Sequence, residues 1–317
     1  SDLPNNAEAV MKEGLVNYNA RLKSEAVADY AKATNMDPKY GPALYELFLF
    51  YTTPKKDQLS WENAAQYLEK YMAVADPADK TKNELLAATI SFFKKDYDNA
   101  ISKGQAALTN APEAYKNKLT LLIGDSYLQK GDSLNAQKIM DAYVQQVGES
   151  KLDSADFKLL GAIYMKLKSS DSATQEQYAT KAQDYLEKFV NASTVKDPET
   201  FIQIADGLKA ARKYTAAAEW YEKANALSAA NKEQLQAIDY YNVGINYYYG
   251  AVTTRPIDTL LLNKADSAFA KVIEVKPDLG TGYYWRGQSN FAKDQQAQAG
   301  VAKPYYDKYI EMSEGDP

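Results

Sequence analysis

The sequence predicts an all-α fold, a solenoid built from about eight helical hairpins. Three observations predict it: an alanine-based helix pattern that recurs along the chain, a second helix pattern that precedes it, and a nearly constant spacing between the two. Recurrence at a period of a few tens of residues indicates a repeat architecture, in which each hairpin buries its apolar face against its neighbours.

The alanine-based pattern predicts the second helix of each hairpin. Its clearest copies are the segments Tyr97 to Pro112 and Tyr214 to Leu227. The same offsets of 4, 7 and 12 recur in Ala26, Tyr30, Ala33 and Pro38, and in Ala265, Phe269, Val272 and Pro277. Offsets of 4 and 7 keep one helical face turned inward. Alanine on that face lets a neighbouring helix approach closely, and the proline ends the helix.

The preceding pattern predicts the first helix. It has a small residue where two helices touch and an aromatic residue three positions later, as in Leu122 to Tyr127, Leu159 to Tyr164 and Asn242 to Tyr247. Twelve residues separate the small residue from the alanine in four units: Gly14 to Ala26, Ala88 to Ala100, Gly124 to Ala136 and Ala205 to Ala217. The other four have longer turns: Phe48 to Ala64, Gly161 to Ala182, Gly244 to Ala265 and Gly287 to Ala302.

These units predict sixteen helices in a single domain over residues 1–317. The predicted hairpins span residues 7–40, 41–77, 78–112, 113–148, 151–195, 197–230, 232–277 and 278–312. The chain begins at Ser1 without an initiator methionine, so we expect a mature or trimmed form. No amphipathic capping helix follows the last hairpin, which indicates either a chain cut within a longer protein or a docking edge.

Taken together, these motifs resemble the tetratricopeptide repeat (TPR) family over nearly all of residues 7–312. The resemblance implies a right-handed superhelical solenoid whose concave wall is lined by the first helix of each hairpin. Two positions depart from the family pattern: Phe48 replaces the usual small residue, and Gly104 replaces the usual large apolar one. In the last hairpin, Pro304 requires its helix to begin near Val301.

Composition excludes most catalytic chemistry. The chain has no histidine and no cysteine, so it offers no imidazole base, no thiol nucleophile and no His or Cys metal ligand. Paired acids such as Asp96 with Asp98, and Asp153 with Asp156, stand at predicted turns and helix starts, where aspartate caps backbone N–H groups. We therefore expect no enzyme, no catalytic residue, no metal site and no cofactor. The net charge of −5 gives no indication of nucleic-acid binding.

The candidate binding residues are those that the resemblance places on the concave wall. Tyrosine is abundant, at 26 residues, and its apolar body with a polar tip suits both half-buried seams and binding surfaces. The predicted partner-binding residues are Tyr18, Tyr45, Leu49, Phe92, Tyr241, Tyr248, Tyr249, Tyr284 and Phe291. In the last two hairpins we expect these rings to face the groove rather than the core, although packing between hairpins remains an alternative for any single tyrosine.

Two classes of function follow from this lining. The first is a scaffold that binds a protein or peptide partner of unknown identity through the groove and the inserted turns. The Lys, Asn and Arg clamp by which some TPR proteins hold a C-terminal carboxylate is absent, because Met11, Tyr45 and Leu85 are among the residues at its positions. The second is a carbohydrate-capture protein of the bacterial envelope, although the largest insertions contain no tryptophan.

Two further patterns bear on the binding site and the location. Residues 166–177 and 250–262 predict long inserted turns, which in repeat proteins often carry function. Short Asp-Ser and Asp-Thr motifs resemble the acceptor of a bacterial envelope O-glycosylation system, and they begin at Asp132, Asp153, Asp171, Asp258 and Asp266. They favour a periplasmic or envelope-type TPR protein over a cytoplasmic one. The same motifs are also ordinary helix-start chemistry.

Overall fold

The computed structural model describes residues 6–56, 58–193 and 196–313. These residues are 78% helical, with sixteen α-helices and no strand among them. The helices are α1 Ala7–Asn19, α2 Lys23–Met36, α3 Gly41–Thr52, α4 Trp61–Met72, α5 Lys80–Phe93, α6 Tyr97–Leu108, α7 Glu113–Lys130, α8 Ser133–Val147, α9 Ser154–Lys166, α10 Ser172–Ala192, α11 Pro198–Ala210, α12 Tyr214–Ala230, α13 Ala237–Thr253, α14 Thr259–Val275, α15 Gly280–Lys293 and α16 Lys303–Ser313. The prediction of an all-α repeat fold with eight helical hairpins is confirmed.

The chain divides into two compact units, Ser1–Leu152 with α1 to α8 and Asp153–Pro317 with α9 to α16. That residues 1–317 form one domain stays a prediction. Residues 1–5 and 314–317 of that range, and residues 194–195 at the end of the predicted fifth hairpin, lie outside the described residues.

In the first and seventh hairpins, the glycine of the first helix packs against an aromatic side chain of the second helix. That aromatic residue stands four positions after the repeat alanine. A Cβ added to Gly14 would lie 2.6 Å from the Tyr30 ring, and one added to Gly244 would lie 2.7 Å from the Phe269 ring. The two helix backbones can therefore approach only because no side chain separates them.

All but one of the eight repeat alanines are fully buried. Seven of the eight are at most 1% exposed: Ala26, Ala64, Ala100, Ala136, Ala182, Ala217 and Ala265. The eighth, Ala302, is half-buried and stands just before α16. Pro304 then lies in the first turn of that helix, where its missing N–H costs no hydrogen bond. At Gly104, the departure from the family pattern, Ile123 of the next helix occupies the space.

The prediction of two long inserted turns was wrong. The extra residues lengthen helices instead, so that only five residues connect α9 to α10 and five connect α13 to α14. The cause is local, because Asp171 and Asp258 cap the following helices early. The Thr174 N–H donates to Oδ2 of Asp171 at 2.7 Å, and the Leu260 N–H donates to Oδ1 of Asp258 at 2.9 Å.

Helix capping also accounts for most of the Asp-Ser and Asp-Thr motifs. Four of the five begin with the N-cap residue of a helix: Asp132, Asp153, Asp171 and Asp258. Asp153 and Asp156 form a reciprocal capping box, and Asp96 caps α6, so both acid pairs noted in the sequence act at helix starts. Asp266 is the exception, since its carboxylate accepts two hydrogen bonds from Arg286.

Candidate partner-binding surfaces

Four of the five predicted residues of the second unit, all of them tyrosines, lie around a residue that sequence reasoning missed, Trp285. Its ring centroid lies 5.2 Å from that of Tyr248 and 5.3 Å from that of Tyr284. The Tyr249 ring is 6.2 Å away. Burial raises the pKa of Tyr241 above its ordinary value, and the nearby Trp285 side chain acts against this rise. We call Tyr241, Tyr248, Tyr249, Tyr284, Trp285 and Phe291 the aromatic surface of the second unit.

The aromatic surface is only partly free. Tyr249 and Phe291 are 40% and 45% exposed. Tyr241 and Tyr248 are half-buried and pack against the core of the unit, with the Tyr241 ring 6.0 Å from the fully buried Phe269. Both rings thus contact the core, and that they also bind a partner stays a prediction. Trp285 of α15 contacts two rings of α13, those of Tyr248 and Tyr249.

In the first unit the predicted residues separate into packed and exposed ones. Tyr45 packs 4.9 Å from the Tyr71 ring, and Phe92 lies 5.7 Å from the Tyr97 ring. Tyr18 and Leu49 are exposed by 37% and 40% and line the same cleft, of about 330 Å³. The cleft is also lined by Tyr30, Glu46, Phe50, Thr52 and Thr53, and we call it the Glu46 cleft.

The electrostatics of the Glu46 cleft are set by burial. Burial, together with the nearby charge of Glu46, raises the pKa of Tyr30 to about 12. Burial likewise raises the pKa of the Glu46 carboxyl above its usual range. Both shifts disfavour the charged form of the side chain, as expected for groups that are partly withdrawn from water.

The remaining polar clusters are structural. In the second unit, Asp206 accepts hydrogen bonds from Tyr221 at 2.5 Å and from Lys209 at 2.9 Å. Although burial acts to raise the pKa of Asp206, these two bonds lower it overall. Across the part of the chain that the structure describes, no group of three or more acidic side chains is placed to hold a metal ion. None of its helices is long and apolar enough to cross a bilayer.

Comparison with solved structures bears on the fold. A tetratricopeptide repeat protein from Parabacteroides merdae is 11% identical, covers 89% of this chain and 98% of its own, and superposes with a TM-score of 0.54. The C-terminal part of a TPR repeat-containing protein from Cytophaga hutchinsonii is 26% identical, covers 72% of this chain and 78% of its own, and has a TM-score of 0.45. Pseudomonas aeruginosa pilF is 14% identical, covers 70% of this chain and 91% of its own, and has a TM-score of 0.47.

No family model and no curated protein sequence matches the chain. The fold likeness to the Parabacteroides protein agrees with the chain's own repeat, whose glycines and alanines pack as the spacing predicts. The protein therefore has an all-α, helical-hairpin repeat fold that is similar to the fold of a tetratricopeptide repeat protein.

Proposed function

We propose that the protein is a non-catalytic scaffold that binds a peptide segment or a protein subunit through the first helices of its hairpins. The observation that carries this proposal is that an exposed aromatic ring recurs at a similar position in the first helix of several hairpins. Four or five residues after the small residue of the first helix, a large ring stays exposed in four hairpins, in both units: Tyr18, Phe93, Tyr249 and Phe291. Exposed rings of this kind are typical of recognition surfaces.

The alternative, carbohydrate capture, gains no support. That hypothesis expects exposed tryptophan and tyrosine rings on large inserted loops, whereas all three tryptophans lie in helices. Trp220 is 1% exposed, and Trp285 is occupied by its tyrosine neighbours. An enzymatic function gains no support either, because the sequence offers no imidazole base and no thiol nucleophile.

The test of the scaffold function compares the exposed rings at this position of the first helices with exposed apolar residues of the second helices. Wild-type protein captures partners from envelope and cytosolic fractions, and each captured partner is then purified and titrated. The Tyr249→Ala, Phe291→Ala double variant should weaken binding at least tenfold, because two exposed rings are lost from the interface. The matched control is Leu134→Ala with Leu260→Ala, which removes two exposed side chains from second helices. Equal affinity of both variants would contradict the proposal.

The proposal includes an envelope location, for which the Asp-Ser and Asp-Thr motifs are the support. Because four of the five motifs cap helices, only Asp266-Ser267 is left without a capping role, and there the Ser267 side chain is exposed. Fractionation of cells that express the whole gene product decides between the envelope and the cytoplasm. Intact-mass measurement of the native protein tests modification at these motifs.

A further inference from the structure

The Glu46 cleft contains a carboxylate that has no partner. Glu46 is the single charged residue of α3, whose sequence from Gly41 to Thr52 is otherwise apolar or aromatic apart from its last residue. Its side chain is half-buried, and no described residue donates a hydrogen bond to it or pairs with it. A desolvated carboxylate without a cation is costly, so its presence in this helix indicates a group supplied from outside.

A second unsatisfied group lines the same cleft. Tyr30 is 1% exposed, and its hydroxyl oxygen is buried with no hydrogen-bond partner. Buried hydroxyls are almost always hydrogen-bonded, because an unmade bond costs about 1–3 kcal/mol. The ring cannot turn away to find a partner, since it lies against Gly14, where an added Cβ would be 2.6 Å from Cε1.

The rim of the cleft is apolar. Tyr18 and Leu49, both exposed, stand beside Glu46 and Tyr30 around a volume of about 330 Å³. This volume is at the lower end of the range for ligand sites, and it suits one long side chain better than a folded segment. An apolar stem could lie against the rim while a polar head reaches the two unsatisfied groups.

We infer that the Glu46 cleft receives a lysine or arginine side chain of the partner segment, with the cation on the Glu46 carboxylate and one of its N–H groups donated to the Tyr30 hydroxyl. This inference rests on the proposed scaffold function and names the chemistry of its partner. A cation is favoured by the lone negative charge, and an anion is excluded by it. A purely apolar occupant would seal Glu46 and Tyr30 from water with neither satisfied.

The test uses three small probes: Nα-acetyl-lysine N-methylamide, Nα-acetyl-arginine N-methylamide, and the norleucine analogue, which has the same stem without the charge. Each is titrated into protein labelled with ¹³C at glutamate Cδ, with the Glu46 signal assigned by its loss in Glu46→Gln. The two cationic probes should shift this signal, lower the pKa of Glu46 and bind at least fivefold more tightly than the norleucine probe. Glu46→Gln should remove that preference, and Tyr30→Phe should reduce it.

The Glu46→Gln variant keeps the size and shape of the side chain, so unchanged circular dichroism confirms that binding is compared between folded proteins. Equal binding of the lysine and norleucine probes, or a preference for lysine that survives in Glu46→Gln, would overturn the inference. A partner captured equally well by wild type and Glu46→Gln would leave the scaffold function standing and overturn the cation cleft alone. Failure to capture any partner, while the lysine probe still binds through Glu46, would contradict the scaffold function alone.

Discussion

The Tyr248 ring meets the Trp285 ring edge-on, with an interplanar angle of 67° and 5.2 Å between centroids. Trp285 also stacks on Phe269, which is fully buried, at 5.9 Å. Trp285 therefore connects rings of the aromatic surface with the core of the second unit. Substitutions at this surface should divide into those that lower stability and those that affect binding alone.

The first prediction separates these two classes. Trp285→Ala should lower the free energy of unfolding by about 2–4 kcal/mol, because it removes a ring that fills the space between α13 and α15. Phe291→Ala should change it by less than about 1 kcal/mol, since Phe291 is 45% exposed and has no ring contact among the described residues. Urea unfolding followed by circular dichroism at 222 nm measures both. Similar losses for the two variants would contradict the division.

The second prediction concerns the close approach of α13 and α14. Gly244→Ala should destabilise the fold by about 1–3 kcal/mol, because the added Cβ would lie 2.7 Å from a ring atom of Phe269. Gly41→Ala is the matched control, since its Cβ would meet nothing closer than 3.5 Å. Thermal unfolding of both variants checks the expectation. A loss in Gly41→Ala as large as that in Gly244→Ala would show that helix approach is not the cause.

The third prediction concerns the capping box of α9. The Asp153 carboxylate accepts from the N–H groups of Ala155 and Asp156 at 2.8 and 3.1 Å. Asp153→Ala should cost about 1 kcal/mol, whereas Asp153→Asn should retain most of the stability because asparagine caps equally well. Chemical unfolding of the two variants distinguishes them. If asparagine costs as much as alanine, the charge rather than the cap matters.

The fourth prediction follows from the raised pKa of Glu46. Burial raises this pKa in the folded state, so the stability that the protonated group contributes is fully present below its unfolded pKa. That contribution is lost as the pH rises through the folded value. The melting temperatures of wild type and Glu46→Gln should therefore differ least near pH 4 and diverge towards pH 7, with the variant the more stable. Tyr18, Tyr30 and Asp29 are the nearby titratable groups, and a divergence that persists in Tyr30→Phe excludes Tyr30 as its source.

The helices could be predicted from the sequence because their determinants are local. The spacing from Gly14 to Ala26, for example, is set by two helices that touch near those residues. The predicted long turns were wrong for a local reason as well, since an aspartate followed by serine or threonine caps a helix there instead of opening a loop. The sequence showed that Asp171 can cap a helix. It did not show that a helix would begin there in place of a loop.

The binding surfaces were less predictable, because they depend on contacts between helices that are not adjacent in sequence. Trp285 reaches from α15 to Tyr248 of α13, and no spacing within either helix indicates that contact. Glu46 did leave a signal, as the single charge in an apolar helix. Its significance depends on the missing partner, which only the surroundings of the side chain reveal.

The packing of Gly14 and of Gly244 against the aromatic ring of the same hairpin has a consequence for biosynthesis. Gly14 and Tyr30 are separated by 16 residues, and Gly244 and Phe269 by 25, so the closing contact of each hairpin needs only a short stretch of chain. Contacts this local form quickly, because little loop-closure entropy opposes them. A nascent chain can therefore bury the surface between the two helices of a hairpin soon after the second helix leaves the ribosome, whereas the surface towards the next hairpin waits for that hairpin to be made.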